Sequence, residues 1–459
     1  MVRRDADASG YFSSRPIAMM KQLLPSFAAA VFAAIMAVAP AARAQIKMNI
    51  VGPGSQLSAI AVSGLKNLSG DDNHQVSAAF LATLNRDLEL SGYFRLISAH
   101  AYIEDAQQSG YELGQFNFAD WRSINADFLV KGAVTLSGQD LKLTALLYDV
   151  AQQRRMMGRN FTGSPADVPR MARRFADAIL QAATGQQGPF DTRLAFVSTG
   201  GRRFKEIYTQ SIDGQDVEQR TFNRTINLFP SFDKGRRHLL YLSYKTGEPA
   251  LYLADLKSKG STRITSTHGM VIGGTISPGG QRIVAAVEHG GATNLYLLDH
   301  NGSELSELTH TSGINVSPAF SADGAMLAFT SDRSGTPQIY VMPAAGGAAR
   351  RITYKGNYNT TPAFSPSADR IAYQSRSGGR FDIFVIPAKG GEPTQVSDGV
   401  GSNESPAWSP DGRYLAFSST RGGHARIYLL MVRSGKIISA LTEGKGNDTS
   451  PAWSWWLGE

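Results

Sequence analysis

The sequence predicts a multidomain chain in which a small α+β domain precedes an all-β, six-bladed β-propeller closed by a C-terminal strand. Three observations support this fold class. A unit of about 44 residues recurs through the C-terminal half, incomplete units at the two ends of the array complement each other, and helical and strand patterns are mixed in the region before the repeats. Self-similarity at such a period indicates stacked supersecondary units.

Each repeat is anchored by a short motif, typically Pro-Ala-aromatic-Ser, and successive anchors are 44 residues apart until the last, which follows at 45. Apolar residues recur at constant offsets from each anchor and turn residues lie between them, which predicts four short strands per unit. A four-stranded unit of this length is the size of one propeller blade. The anchors are Pro230, Gly274, Pro318, Pro362, Pro406 and Pro451.

The ends of the repeat array predict how the ring closes. Leu194–Ser198, Ile207–Ser211 and Val217–Thr221 provide the second, third and fourth strands of a blade that has no first strand, and Pro451–Trp455 is a first strand with no others. Pairing these pieces gives a sixth blade and removes two exposed sheet edges. An open solenoid is the alternative, and it would leave both pieces unpaired.

The region before the repeats has the patterns of an α+β domain. Apolar residues at helical spacing predict helices over Val76–Leu90 and Val168–Ala183, the first ending near Gly92. Between the helices, apolar alternation predicts three strands, at Phe128–Leu136, Leu141–Val150 and Met156–Phe161. Helices mixed with a strand meander are typical of small α+β domains.

The N-terminus has the features of an export signal. Lys21 precedes the apolar stretch Phe27–Pro40, and small residues stand three and one before a predicted cut after Ala44. The 14-residue stretch is too short for an ordinary membrane span. We therefore expect an upstream extension and signal at residues 1–44, the α+β domain at 45–184, a linker at 185–189 and the propeller at 190–459. The polar start makes Met20 a second candidate for the initiating methionine.

Composition and motifs favour a binding protein over an enzyme. The chain has 459 residues and a formal net charge of +8, but its basic residues are scattered and no nucleic-acid-binding motif occurs. No G-x-S-x-G nucleophile motif is present, and the eight histidines form no H-x-H or H-E-x-x-H pair. We expect no catalytic residues, no cofactor and no metal site, and no hydrolase domain after the closing strand.

The residues just before each anchor predict a candidate binding surface. Propeller topology places them around one mouth of the central channel, and Asn227, Asn315, Asn359 and Asn403 each stand three positions before an anchor. Two interpretations remain open. The asparagines bond their local backbone in turns, or they form a polar ring that offers amide groups to an inserted peptide. Arg333, Arg376 and Arg421 on the second turns are candidate contacts for an acidic partner.

The chain resembles a known family. The repeats Ser317–Gly324 and Ser405–Gly412, the strand Gln338–Val341, the closing Pro451–Ser454 and the preceding α+β domain are together similar to the TolB family of periplasmic propellers. This family belongs to the Tol-Pal cell-envelope system of Gram-negative bacteria. The resemblance covers essentially the whole chain after the signal.

The resemblance implies a non-enzymatic periplasmic adaptor, soluble and monomeric, with two partners and with roles in outer-membrane integrity and envelope constriction during cell division. A Pal-like peptidoglycan-associated lipoprotein would bind the propeller mouth, and a TolA-like inner-membrane protein would bind the extreme N-terminus. The N-terminal segment is Gln45, Ile46, Lys47, Met48, Asn49 and Ile50, whose alternation suits strand addition. The mouth positions are Asn227, His268, Met270, Gly273, Asn315, Val316, Asn359 and Asn403.

Part of the repeat array departs from the pattern, because the unit anchored at Gly274 has Val271 in place of asparagine. Contacts of that blade are therefore the least defined.

Two alternatives to the adaptor are a periplasmic propeller enzyme, either a hydrolase or a lyase, and a carbohydrate-binding propeller. An enzyme needs clustered carboxylates or histidines at one mouth, whereas the loops before the anchors supply mainly amides.

Overall fold

The computed structural model describes residues 57–69, 74–258, 260–264 and 269–458. The predicted signal with its cut after Ala44, the segment Gln45–Ile50 and His268 lie outside these ranges. Within the described ranges, no helix combines the length and the apolar character needed to cross a membrane.

The N-terminal domain is built on a five-stranded mixed sheet. Its first strand in sequence pairs in parallel with two neighbours, and the remaining pairs are antiparallel. In spatial order the strands are β2, β1, β3, β4 and β5. Their bounds are β1 Ser58–Asn67, β2 Phe94–Leu96, β3 Phe128–Ser137, β4 Asp140–Asp149 and β5 Arg154–Gly163.

The two long helices cover one face of this sheet, and a short helix packs on the other. α1 spans His74–Ser91 and α3 spans Val168–Thr184, whereas the short α2, Phe118–Ser123, places Trp121 in a separate apolar cluster with Leu129. The apolar faces of α1 and α3 meet, and the rings of Phe80 and Phe175 lie 6.2 Å apart. Both long helices end at a glycine in the left-handed region, Gly92 and Gly185, a conformation that glycine adopts without strain. The predicted α+β class is confirmed, and β1, β2 and α2 are additions to it.

Six four-stranded antiparallel sheets follow and form the propeller. We number the blades so that blade 1 contains the closing strand and blades 2 to 6 follow along the chain. Blade 1 contains β6 Arg193–Ser198, β7 Glu206–Ser211, β8 Glu218–Gln219 and the last strand of the chain, β29 Asp448–Trp453. Blade 2 contains β9 Asn227–Phe232, β10 His238–Ser243, β11 Ala250–Asp255 and β12 Ser261–Ile264, and blade 3 contains β13 Met270–Ile276, β14 Arg282–His289, β15 Ala292–Asp299 and β16 Glu304–Glu307. Blade 4 contains β17 Asn315–Phe320, β18 Met326–Ser331, β19 Gln338–Pro343 and β20 Arg350–Arg351; blade 5 contains β21 Asn359–Phe364, β22 Arg370–Ser377, β23 Arg380–Pro387 and β24 Thr394–Gln395; and blade 6 contains β25 Asn403–Trp408, β26 Tyr414–Gly422, β27 His424–Met431 and β28 Lys436–Ala440.

The ring closes as the sequence predicts. β29 pairs antiparallel with β6, and Trp453 lies opposite Leu194 in this ladder. The indole Nε1 of Trp453 also donates to Thr192 Oγ1 at 2.9 Å. The closing strand therefore completes blade 1 through backbone hydrogen bonds and through the packing of its aromatic end.

The α+β domain packs on the face of the ring that carries the turns between the first and second strands. The described parts of both domains form one compact unit and share a continuous apolar core, which includes Phe175 of α3 and Met431 of β27. Polar contacts flank this core. Tyr414 Oη donates to the carbonyl of Ser91 at 2.7 Å, and Arg413 Nη1 donates to Thr184 Oγ1 at 2.9 Å.

A buried charge cluster lies at the same junction. Arg173 of α3 forms ion pairs with Asp213 at 3.0 Å and Asp216 at 2.9 Å, both from the turn before β8. Asp87 of α1 is fully buried beside them, and neither of its carboxyl oxygens has a hydrogen-bond partner among the described residues. Burial raises the pKa of Asp87 well above its usual value, and the neighbouring Asp213 carboxylate raises it further.

This arrangement predicts that Asp87→Asn stabilises the protein as the pH rises. A carboxyl whose pKa is higher in the folded than in the unfolded chain destabilises the fold once the pH exceeds the unfolded value of about 4. The variant removes that penalty, so its gain in the free energy of unfolding is smallest near pH 4 and grows toward neutrality. Each tenfold difference in proton affinity contributes about 1.4 kcal/mol. Urea titrations between pH 4 and 8 measure the gain.

Asp213→Asn is the matched control, because it makes the same chemical change within the same cluster. It removes a partner of the buried Arg173 and should lower the free energy of unfolding by about 3 kcal/mol at pH 7. A pH-independent loss of stability in Asp87→Asn would contradict the assignment.

Candidate functional site

The candidate site is the mouth of the ring opposite the α+β domain. It is formed by the loops that lead into the innermost strands and by the turns between the second and third strands of each blade. The structure places Asn227, Asn315, Asn359 and Asn403 at the first position of β9, β17, β21 and β25, with Asp448 at the first position of β29. The predicted ring of equivalent positions is therefore present at this mouth.

The asparagine side chains of this ring are fully buried. Each Nδ2 group donates to the start of the third strand in the preceding blade. Asn315 reaches the carbonyl of Thr293 at 2.9 Å, and Asn359 reaches Gln338 Oε1 at 2.8 Å. Asn227 and Asn403 make the equivalent bonds to Lys205, Glu206 and Asp382. The asparagines therefore link adjacent blades, and the expectation that they offer free amide groups to an inserted peptide is corrected.

Blade 3 shows why its sequence departs from the repeat. The residue that would accept the bond in the preceding blade is Ala250, and Val271 stands where the asparagine would be. Val271 is buried and belongs to the same apolar cluster as Leu251. An apolar contact therefore replaces the hydrogen bond at the junction of blades 2 and 3.

Two arginines of the second turns complete the asparagine network. Arg333 Nη2 donates to Asn315 Oδ1 at 2.7 Å, and its guanidinium lies 4.9 Å from the centroid of Tyr340. Arg421 makes the same contact with Asn403 at 3.1 Å and also pairs with Asp398 at 2.9 Å. These arginines, predicted as rim contacts for an acidic partner, are engaged within their own blades.

Blade 5 lacks this arginine. Ser377 follows Asn359 at the same spacing that separates Arg333 from Asn315. Consistently, Asn359 Oδ1 is buried and has no hydrogen-bond partner among the described residues.

Most innermost strands contain a β-bulge at the anchor, where the pairing register shifts. The residue directly before the proline adopts a positive φ in five blades, a conformation that costs a non-glycine residue about 1 kcal/mol or more. These residues line a central cavity of ≈ 390 Å³ together with Gly273 and Val316. They are Phe229, Ser317, Thr361, Ser405 and Ser450, with φ between 50° and 55°.

Sequence reasoning missed the apolar character of the mouth. Among the residues that the structure describes, nine large apolar side chains on its loops and turns are between 38% and 73% exposed, and of these only Met270 was a predicted site residue. Monomeric proteins rarely leave such side chains clustered in water. A sequence signal exists, because an apolar residue directly precedes three of the buried asparagines. The nine are Phe204, Phe222, Ile226, Phe229, Met270, Ile314, Tyr354, Tyr358 and Val400.

The described parts of the chain hold no group of three or more histidine, aspartate or glutamate side chains close enough to bind a metal ion.

Comparison with known proteins identifies the family. The sequence model of the TolB amino-terminal domain matches residues 46–156, and that of the TolB beta propeller domain matches residues 180–400 and 360–455. Together these matches cover most of the chain, in the order that the fold requires. The chain belongs to the TolB family.

Several relatives of this TolB-family chain are known. The Tol-Pal system protein TolB of Desulfosudis oleivorans is 38% identical over 233 residues, which cover 50% of this chain and 53% of the relative. That of Syntrophotalea carbinolica is 36% identical over 198 residues, which cover 43% and 45%. The chain thus spans about half the length of the curated relatives it matches.

A solved TolB structure shares the fold. The crystal structure of TolB from Acinetobacter baumannii superposes with a TM-score of 0.74, covers 87% of this chain and 97% of its own, and is 24% identical in sequence.

The blade-linking network predicts that Arg333→Ala destabilises this TolB-family chain. The substitution leaves Asn315 Oδ1 buried without a donor, which should lower the free energy of unfolding by about 1–3 kcal/mol. Ser377→Ala at the equivalent position of blade 5 should change it by less than about 0.5 kcal/mol. Urea unfolding of both variants measures the difference. Equal losses would show that the arginine does not support the asparagine.

Proposed function

We propose that the protein is a periplasmic, non-enzymatic adaptor of a Tol-Pal system. In this proposal the propeller mouth binds a Pal-like peptidoglycan-associated lipoprotein, and the N-terminal segment Gln45–Ile50 binds a TolA-like inner-membrane protein. The adaptor would support outer-membrane integrity and envelope constriction during division. Family membership and the relatives' place in Tol-Pal systems support this assignment.

The observation that carries the mouth assignment is the set of nine exposed apolar side chains around the ring. Protein interfaces need a desolvated apolar centre surrounded by polar groups. At this mouth the apolar residues surround the central cavity, while the buried asparagines hold the strands beneath them. The surface is therefore firm as well as apolar, a combination that favours docking of a folded partner.

The hydrogen bonds made by the carboxylates at the mouth also favour a binding role. Glu206 accepts hydrogen bonds from Thr221 and Asn227, and Asp382 accepts from Ser397 and Asn403. These carboxylates link neighbouring blades, so they are not available as a general acid and base. We therefore favour the adaptor over a propeller hydrolase or lyase.

The assignment of the N-terminal segment rests on its sequence. Ile46, Met48 and Ile50 alternate with polar residues directly after the predicted cut. A chain of this pattern can add a strand to the sheet edge of a partner.

We expect Met270→Glu combined with Ile314→Glu to weaken binding of the Pal-like lipoprotein at least about tenfold, because buried interface anchors typically contribute more than 1 kcal/mol each. Leu305→Glu combined with Val217→Glu is the control, since these side chains are comparably exposed but lie away from the mouth. Isothermal titration calorimetry measures both affinities. Similar affinities for the two double variants would place the docking surface elsewhere.

Deletion of residues 45–50 should abolish capture of the TolA-like protein and leave binding of the Pal-like lipoprotein measurable. A pull-down with the exported chain and its deletion variant tests this. A variant that carries the same six residues in a shuffled order, without the alternation, is the control for length. Undiminished capture by the deletion variant would reject the N-terminal assignment.

A further inference from the structure

One edge of the mouth carries a dense group of cations and aromatic residues that the blade network does not use. We call it the basic edge. It lies in blade 1 on two segments, the turn after β6 and the loop after β8. Its members are all exposed, and they are Arg202, Arg203, Phe204, Lys205, Phe222, Arg224 and Ile226.

The two segments of the basic edge are held together by backbone hydrogen bonds. Lys205 N–H donates to the carbonyl of Thr225 at 3.0 Å, and Asn227 N–H donates to the carbonyl of Lys205 at 2.9 Å. The backbone N–H of Arg224 donates to Glu206 Oε1 at 2.7 Å. The cations therefore project from two segments that backbone hydrogen bonds hold together.

The charges of the basic edge are not neutralised within the described chain. The side chains of Arg202, Arg203, Lys205 and Arg224 form no hydrogen bond or ion pair with the residues that the structure describes. Glu206 lies beside the two segments, but it is buried and accepts bonds from Thr221 and Asn227. Arg333 and Arg421 differ, because both are engaged in their own blades.

A cavity of ≈ 440 Å³ opens between the two segments. Phe204 and Phe222 form its apolar lining, and Arg202 and Arg224 contribute charge. Tyr208 and Gln219 also line it, and they are joined by a hydrogen bond of 3.1 Å from Tyr208 Oη to Gln219 Oε1. The cavity thus offers apolar surface and guanidinium groups side by side.

We propose that the basic edge receives an acidic protein segment carrying an apolar side chain, presented by the lipoprotein that docks on the mouth. This inference rests on the proposed function. Carboxylates of the segment pair with Arg202 and Arg224, for which the planar guanidinium offers two parallel N–H donors. The apolar side chain enters the cavity against Phe204 and Phe222. Because the patch is concave and continues into the apolar mouth, it suits a protein partner better than a membrane surface.

Arg202→Glu combined with Arg224→Glu tests this pairing. At low salt we expect the affinity for the Pal-like lipoprotein to fall at least about tenfold, chiefly through slower association, because charges at an interface steer encounter. The difference from wild type should shrink as salt screens the charges. Calorimetry and stopped-flow association with the full exported chain provide the measurements, after thermal melts have shown that the variant is folded.

Arg95→Glu combined with Arg159→Glu is the matched control. These two arginines are also exposed, but they lie in the α+β domain on the side of the ring opposite the mouth, and the substitution changes the net charge equally. We expect a loss of less than about threefold, since exposed charges outside an interface contribute little. Equal losses in the two double variants would show a general charge effect and overturn the proposal.

Three further outcomes distinguish a failure of the proposed function from a failure of the basic edge alone. If the wild-type chain does not bind the lipoprotein, the proposed function fails. If wild type binds and Arg202→Glu with Arg224→Glu binds equally well, only the basic edge fails. Co-sedimentation of wild type, but not of this variant, with phosphatidylglycerol vesicles would assign the edge to a membrane and also overturn the proposal.

Discussion

The structure depends on the pairing of β29 with β6. These strands come from opposite ends of the repeat array, and their ladder joins the two ends of the array into one closed ring of six sheets. Closure gives every blade two neighbours, because the first and last units of the array meet in blade 1. The closing strand also brings Asp448 into the position that asparagines occupy in other blades, 3.7 Å from Arg426.

Side-chain links between blades then determine what the mouth can present. The constant spacing of the repeat brings each asparagine to the third strand of the preceding blade, where its amide nitrogen is hydrogen-bonded and buried. A buried polar group must be bonded to avoid a desolvation penalty, so these residues act as structural links. The surface left to a partner is consequently made by the loops above them, which carry apolar side chains and, in blade 1, unpaired cations.

The period of the repeat predicted the propeller and its closure, because a local pattern repeated along the chain reports topology directly. The ends of the two long helices were predicted to within two residues, because apolar residues at helical spacing are also a local pattern. β1 was not predicted, since Ser58–Asn67 is rich in small residues and its parallel partners are distant in sequence. The roles of Arg333 and the asparagines also escaped prediction, because their partners lie 18 to 22 residues away and on a neighbouring strand or blade.

The junction of blades 2 and 3 differs from its neighbours at the mouth. Val271 and Leu251 belong there to one apolar cluster, whereas an asparagine amide links the blades at four other junctions. Further from the mouth, polar contacts do join these two blades, since Ser231 Oγ and Thr275 Oγ1 lie 3.2 Å apart and the N–H of Lys234 donates to the carbonyl of Pro278 at 2.8 Å. Apolar attraction has little angular preference, so the mouth end of this seam has less directional restraint than its far end. Met270 stands exposed directly before Val271, so a partner seated at that point of the mouth contacts the end of the seam that lacks a directional link.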